Sequence, residues 1–242
     1  MKITAFNGSP RGEKSNTNFM VKEFLSGAKE AGAEVENILL SERKILHCLG
    51  CFHCWNKTPG KCIIKDDMNS LLEKFDNSDI VVFATPLYVD NVSGIMKNFM
   101  DRLIPLADPH FTIDENNETR HKKRRNSSPK IVVISNCGFP ENSHFQVLKL
   151  LFKRIARNFH TKVIGEIYRG GGEILQKNII MLKPVIWKYK LLLKKAGKEI
   201  VKNSRLSEET IKKLEKPLIS PERYRKEANK FWDNSLKKLS NE

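Results

Sequence analysis

Between Asp79 and Thr85 the chain reads Ile80-Val81-Val82-Phe83-Ala84, with no polar residue. Successive side chains of a strand point to opposite faces, so a strand of this composition is buried on both. Such a strand belongs inside a parallel sheet that carries helices above and below it. The rest of the sequence supplies those partners. Residues 2–6 form a short β-branched and aromatic run, residues 34–40 alternate and then turn apolar, and residues 130–135 and 161–168 complete a set of five predicted strands. Helical spacing fills the gaps, over 16–25 with an end near Ala31-Gly32-Ala33, over 66–75, over 93–104 and over 144–159. In the second of these, Asp66 and Asp67 occupy the first turn and Met68, Leu71, Leu72 and Phe75 share a face. Five strands alternating with helices imply an α/β fold with a doubly wound parallel sheet.

At 242 residues the chain suits one such domain with something appended. We place the domain at 1–174 and a basic helical extension at 175–242, punctuated by Pro184, Pro217 and Pro221. In the extension Ile179, Ile180, Leu182, Ile186, Trp187 and Leu191 mark a helix face that should bury itself on the core or across a dimer. Residues 108–128 are polar, end in a basic cluster and lack a clear period, so a long loop is expected there. No run of 18 uncharged apolar residues occurs, and the chain opens on a charged strand, so neither a membrane span nor a secretory signal is expected and the cytoplasm is the expected location. A net charge of +15 invites a nucleic-acid reading. No nucleic-acid motif accompanies it, and Lys on helical periodicity commonly forms a solvated face, so neither a nucleic-acid nor a membrane partner is expected.

The first predicted strand runs into Asn7-Gly8-Ser9-Pro10-Arg11-Gly12-Glu13-Lys14-Ser15-Asn16-Thr17-Asn18 before helical spacing resumes. A loop between a strand's carboxyl end and a helix's amino end offers unpaired amides and a favourable dipole to an anion. Ser9, Ser15 and Thr17 can add hydroxyls, Asn16 an amide and Arg11 a forked cation. The loop is neither a Walker loop nor a G-x-G-x-x-G turn. Its residues alone leave two readings open, an anion site or an ordinary turn capped by a serine.

This string resembles the FMN-phosphate loop of the flavodoxin-like NAD(P)H-dependent FMN reductase superfamily. A second segment strengthens the resemblance. Thr85-Pro86-Leu87-Tyr88-Val89, followed by Ser93, Lys97, Asp101 and Arg102, resembles that family's third-strand loop and the helix after it. The resemblance implies a five-stranded sheet in the order 2-1-3-4-5 with FMN outside the carboxyl ends of its strands, where residues 7–17, 85–93 and 136–143 should converge. It assigns Ser9, Arg11, Ser15, Asn16 and Thr17 to the phosphate and Pro86, Leu87, Tyr88 and Val89 to the ring. Cys137 and Gly138 would flank the flavin, although Cys137 by itself reads as a small buried thiol. Lys97, Asp101 and Arg102 read as spaced charges that stabilise a helix. The implied activity is that of an FMN-dependent oxidoreductase taking electrons from NAD(P)H to a quinone-like, flavin or other small acceptor, with no catalytic acid–base pair. A homodimer is implied as well. The alternative is an electron carrier that docks acidic redox proteins. The run His121-Lys122-Lys123-Arg124-Arg125 could meet such a partner or the extra phosphate of NADPH, or be a solvated loop.

Cys48, Cys51, Cys54 and Cys62 form a C-x2-C-x2-C-x7-C arrangement after the second strand. Such bunching argues for a local ligand or redox cluster rather than a disulfide framework. The string resembles the compact motif of the iron–sulfur flavoprotein branch, which implies a [4Fe–4S] cluster. Small buried thiols and a zinc site satisfy the same residues. FMN is therefore the expected cofactor, and the cluster is conditional.

Overall fold

A computed structural model describes residues 1–125, 128–177 and 179–239, so positions 126 and 127 of the predicted loop and 178 and 240–242 of the predicted extension lie outside the described residues. In chain order the elements are β1 (Lys2–Asn7), α1 (Asn16–Glu30), β2 (Glu34–Leu39), α2 (His53–Asn56), α3 (Met68–Asp76), β3 (Ile80–Tyr88), β4 (Asn91–Val92), α4 (Gly94–Asp101), β5 (Ala107–Ile113) and β6 (Thr119–Lys123). They continue with β7 (Lys130–Asn136), α5 (Gln146–Asn158), β8 (Val163–Arg169), α6 (Lys183–Asn203), α7 (Glu208–Glu215) and α8 (Pro221–Leu239). The main sheet runs β2-β1-β3-β7-β8 with every neighbour parallel, which is the expected 2-1-3-4-5 order of the five principal strands. It is a flavodoxin-like α/β fold with a helical C-terminal region.

Strand β3 occupies the middle of the sheet. Ile80, Val82 and Ala84 face one layer with Ile3, Ala5, Val132 and Ile134, under α1 and α6. Val81 and Phe83 face the other with Phe6 and Val133, under α3, α4 and α5. Alternate residues of one strand thus feed two separate cores.

Two expectations need correction. Residues 108–128 are not one long loop, because β5 and β6 pair there as an antiparallel hairpin. Its turn is built by Asp114, whose carboxylate accepts from the amides of Asn116 and Glu118, while Asn117 takes φ 58°. Neither strand buries a residue, and even Phe111 and Ile113 are exposed, so no apolar alternation marks the pair, but an Asp-to-Asn turn of this kind is a local signal. The second correction concerns the extension. Only Ile186 of the predicted apolar face is buried, whereas Ile180, Trp187 and Leu191 stay exposed. Helix α6 instead turns Tyr189, Leu193, Ala196 and Ile200 onto α1 and the sheet. Backbone proximity selects that face. A Cβ on Gly27 would lie 1.9 Å from the Lys194 carbonyl oxygen, and one on Gly197 would lie 2.0 Å from that of Phe24.

Candidate functional site

The loops at the carboxyl ends of β1, β3 and β7 meet around a cleft of about 360 Å³. Hydrogen bonds between them hold the arrangement. The Gly8 amide donates to the Ala84 carbonyl at 2.8 Å, the Ser93 hydroxyl donates to the Gly8 carbonyl, and the Asn136 side-chain amide donates to Thr17 Oγ1 at 2.8 Å. Gly8 must be glycine for this approach, since a Cβ there would stand 2.6 Å from Met96 Cβ. The walls are Ser9, Arg11, Ser15, Asn16, Thr17, Pro86, Leu87, Tyr88, Cys137 and Gly138, joined by Asn136 and Glu173. Ten of the eleven predicted flavin-site residues therefore come together, and Val89 stands apart.

Val89 is fully exposed and does not line the cleft. It and Asp90 form a two-residue turn between β3 and β4, with φ of 47° and 55°. Such a turn suits hairpin twist, but a β-branched residue rarely enters this region and stores about 1–3 kcal/mol of strain there.

Donor groups collect on the first loop. The amides of Asn16 and Thr17 open α1 and have no acceptor among the described residues, as expected for the first turn of a helix. Ser9 Oγ likewise has no partner among them, and Thr17 Oγ1, which accepts from Asn136, keeps its own proton to donate. The Ser15 hydroxyl is already committed. It donates to the Gly12 carbonyl at 2.8 Å and accepts from the Asn18 amide at 3.0 Å, so it serves as the cap of α1. Arg11 Nη1 lies 3.4 Å from Glu173 Oε1, both side chains being half-exposed. Free amides and hydroxyls beside an arginine are the kinds of group that take up an anion, and the Glu173 carboxylate faces that arginine. Burial pushes the Cys137 thiol up to about 11, so it stays protonated.

Glu173 escapes the sequence reading, and Asn136 is placed there in a converging loop without a role of its own. Glu173 lies beyond the last strand and reaches the cleft only because the segment after β8 folds back, with the Gly172 amide donating to the Cys137 carbonyl. Asn136 closes β7 and its position alone was the signal.

The basic run sits elsewhere. Arg125 pairs with Asp76 at the end of α3, and Arg124 Nε donates to the Ala107 carbonyl, which puts the run at the amino ends of the strands. A strand's length, about 20 Å, separates it from the cleft.

All four clustered cysteines line one cavity beside α2, together with Arg102. Cys54 is buried, Cys48 and Cys62 are half-buried, and Cys51 is exposed. Burial first, then the neighbouring charges of Cys62, Cys48 and Cys51, raises the Cys54 thiol. Among the described residues no three Cys, His, Asp or Glu side chains converge on one ion position. Arg102 corrects an expectation. Lys97 does pair with Asp101 at 2.7 Å along α4, but Arg102 is 1% exposed and is no surface helix charge. Its guanidinium meets Asp66 at 2.7 and 3.0 Å, the Leu46 carbonyl at 2.6 Å and Cys62 Sγ at 3.3 Å.

The sequence model of a family described as NADPH-dependent FMN reductase matches residues 1–170. An iron-sulfur flavoprotein of Methanocaldococcus jannaschii is 40% identical over 106 residues, which cover 44% of this chain and 53% of that protein. An iron-sulfur flavoprotein of Archaeoglobus fulgidus is 42% identical over 102 residues, covering 42% and 48%. The chain thus spans about half the length of the curated relatives it matches. Among solved structures, an FMN-dependent NADH-azoreductase from Bacillus anthracis in complex with FMN superimposes with a TM-score of 0.60 at 17% identity, over 83% of this chain and 99% of that one. An NAD(P)H:quinone oxidoreductase from Methanothermobacter marburgensis gives 0.60 at 15% identity, over 83% and 96%. These two likenesses bear on the fold.

Proposed function

Because this chain belongs to the NADPH-dependent FMN reductase family, we propose that it is an FMN-dependent oxidoreductase taking electrons from NAD(P)H to a small acceptor of quinone or flavin type. The observation that carries the reading is the set of unpartnered donors at the start of α1, bordered by Arg11 and facing the apolar wall of Pro86, Leu87 and Tyr88. FMN, when bound, supplies the hydride-accepting and electron-donating chemistry. Everything else falls to the chain. The amides of Asn16 and Thr17, with Ser9, Thr17 and Arg11, hold the phosphate, while Ser15 keeps their helix turn in place. Pro86, Leu87 and Tyr88 bound the ring, and Cys137 and Gly138 close the opposite side. A thiol held neutral beside the ring adds no charge to it. No proton-transferring side chain is required for hydride transfer.

Titration of flavin fluorescence tests the phosphate assignment. Arg11→Ala should weaken FMN by about 1.5–3 kcal/mol through loss of charge-assisted hydrogen bonds and leave riboflavin much less affected. Equal affinity of the unaltered protein for FMN and riboflavin would refute the assignment.

A second reading rests on the cysteine cavity. A [4Fe–4S] cluster gives each of four thiolates its own iron, so it requires a cage of cysteines, whereas zinc requires convergence on one point. Four cysteines around one cavity supply the number and kind of ligands that such a cluster needs. Cys48, Cys51, Cys54 and Cys62 would then hold a centre that exchanges electrons with the flavin. Protein purified without oxygen should contain about four iron and four acid-labile sulfide per chain. Neither element, with full flavin and reductase activity, would leave the cysteines as structural thiols.

A further inference from the structure

The apolar face expected to be covered is uncovered. On the segment leading into α6, Ile180 and Met181 are 78% and 73% exposed, and on α6 itself Trp187 is 58% exposed. Helix α8 repeats the pattern. Its apolar stripe begins on the core, where Tyr224 lies against Gly171, and continues into solvent through Phe231, Trp232 and Leu236, the last two 61% exposed. The two stretches adjoin, because Lys177 Nζ stands 5.3 Å over the Phe231 ring, two residues before Ile179. Exposed apolar patches of this extent mark contact surfaces.

Charge identifies the occupant. Residues 175–242 hold 18 Lys and Arg against 8 Asp and Glu. Around the patch, Lys183 and Lys188 of α6 and Lys230 of α8 are exposed, and none makes an ion pair with the described residues. A second copy would bring the same lysines face to face, which costs a contact between copies part of its stability. Tryptophan, phenylalanine and leucine rimmed by lysine instead match a bilayer surface with anionic headgroups, where rings sit at headgroup depth and lysines meet phosphate. No helix among the described residues is long and apolar enough to cross a membrane, which bears on insertion and leaves adsorption open. We propose that the face formed by residues 179–191 and 231–236 holds this protein on an anionic lipid surface. The proposal stands independently of the flavin reading.

Co-sedimentation of the full chain with vesicles tests it. Phosphatidylcholine vesicles containing phosphatidylglycerol should bind the protein at least about tenfold more strongly than phosphatidylcholine alone, and added salt should reduce the difference. Trp187→Ser with Trp232→Ser should lower binding to the anionic vesicles about tenfold or more. Lys188→Glu with Lys230→Glu should remove the preference for anionic lipid. All four positions are exposed, and unchanged circular dichroism would show that the variants fold. No binding to anionic vesicles, or binding that survives the tryptophan substitutions, overturns the proposal. A dimer in solution that the tryptophan substitutions dissolve, or retention on duplex DNA without vesicle binding, would assign the face to those partners and overturn it equally.

Discussion

Arg102 shows how one residue can look ordinary in sequence and be decisive in the fold. Its place at the end of α4, after Lys97 and Asp101, suggested a surface charge, and nothing local to it signals that the chain from Leu46 to Asp66 wraps around its guanidinium. The same applies to Glu173, which approaches Arg11 from a sequence separation of 162. Legible residues were those whose role is local, such as Ser15 capping its own helix and the loop donors beside it. Burial of Asp66 by itself would raise its carboxyl, yet hydrogen bonds from Arg102 and from the Leu46 and Met68 amides hold it below its ordinary value. A depressed folded value means that the stabilisation is present above the unfolded carboxylate pKa, about 3.9, and is lost as pH falls through the folded value. Arg102→Leu leaves Asp66 buried and unpaired, and should cost about 3–5 kcal/mol in urea melts at neutral pH. Adding Asp66→Asn, which keeps an acceptor for the Met68 amide, should recover much of that loss and flatten the acid limb below about pH 4. If the double variant is as unstable as Arg102→Leu alone, the charge pair is not the source of the loss.

Elements whose period was pure were read within a few residues, because burial on both faces of β3 or one face of α3 writes itself into composition. The hairpin β5–β6 is not legible in composition since neither strand buries a residue, and its pairing is set by a turn. The buried face of α6 differs from the expected one for a different reason. Apolar size drew attention to Trp187 and Leu191, but close packing of two helices is governed by the smallest residues at the contact, Gly27 with Ala28 and Ala196 with Gly197. That permits a prediction of sign. Gly→Ala in a helix interior ordinarily stabilises by roughly 0.5–1 kcal/mol. Here Gly27→Ala and Gly197→Ala should each destabilise by about 1–3 kcal/mol or more, since the added methyl meets rigid backbone. Denaturant midpoints that rise, or stay level, in both variants would show that the helices do not cross this closely.

For the molecule as a whole, the question is where the folding unit ends. The family pattern stops at residue 170, yet Tyr189, Leu193, Ala196 and Ile200 of α6 belong to the same buried cluster as Ile3, Val82 and Ile134. Helix α7 adds Leu214, and its start is locked to α6 where Glu199 accepts from the Ser207 amide and hydroxyl and from Thr210 Oγ1. Each large side chain of this set is worth roughly 1.5–3 kcal/mol on burial. Three or four of them match a domain's net stability of about 5–15 kcal/mol. Helix α8 is attached otherwise, by Tyr224 against Gly171, the Arg225–Glu141 pair at 2.7 Å and the Lys177–Phe231 contact. We therefore predict that a fragment ending at residue 174 will not give a cooperative thermal transition, because it uncovers the side of α1 that packs on α6 and the part of the sheet that α6 and α7 cover. A fragment ending at residue 219 should melt within a few degrees of the full chain, consistent with loss of about 1 kcal/mol. Calorimetry on the two fragments separates the possibilities, and a cooperative, flavin-binding fragment of residues 1–174 would make α6 an accessory to the fold instead of part of its core.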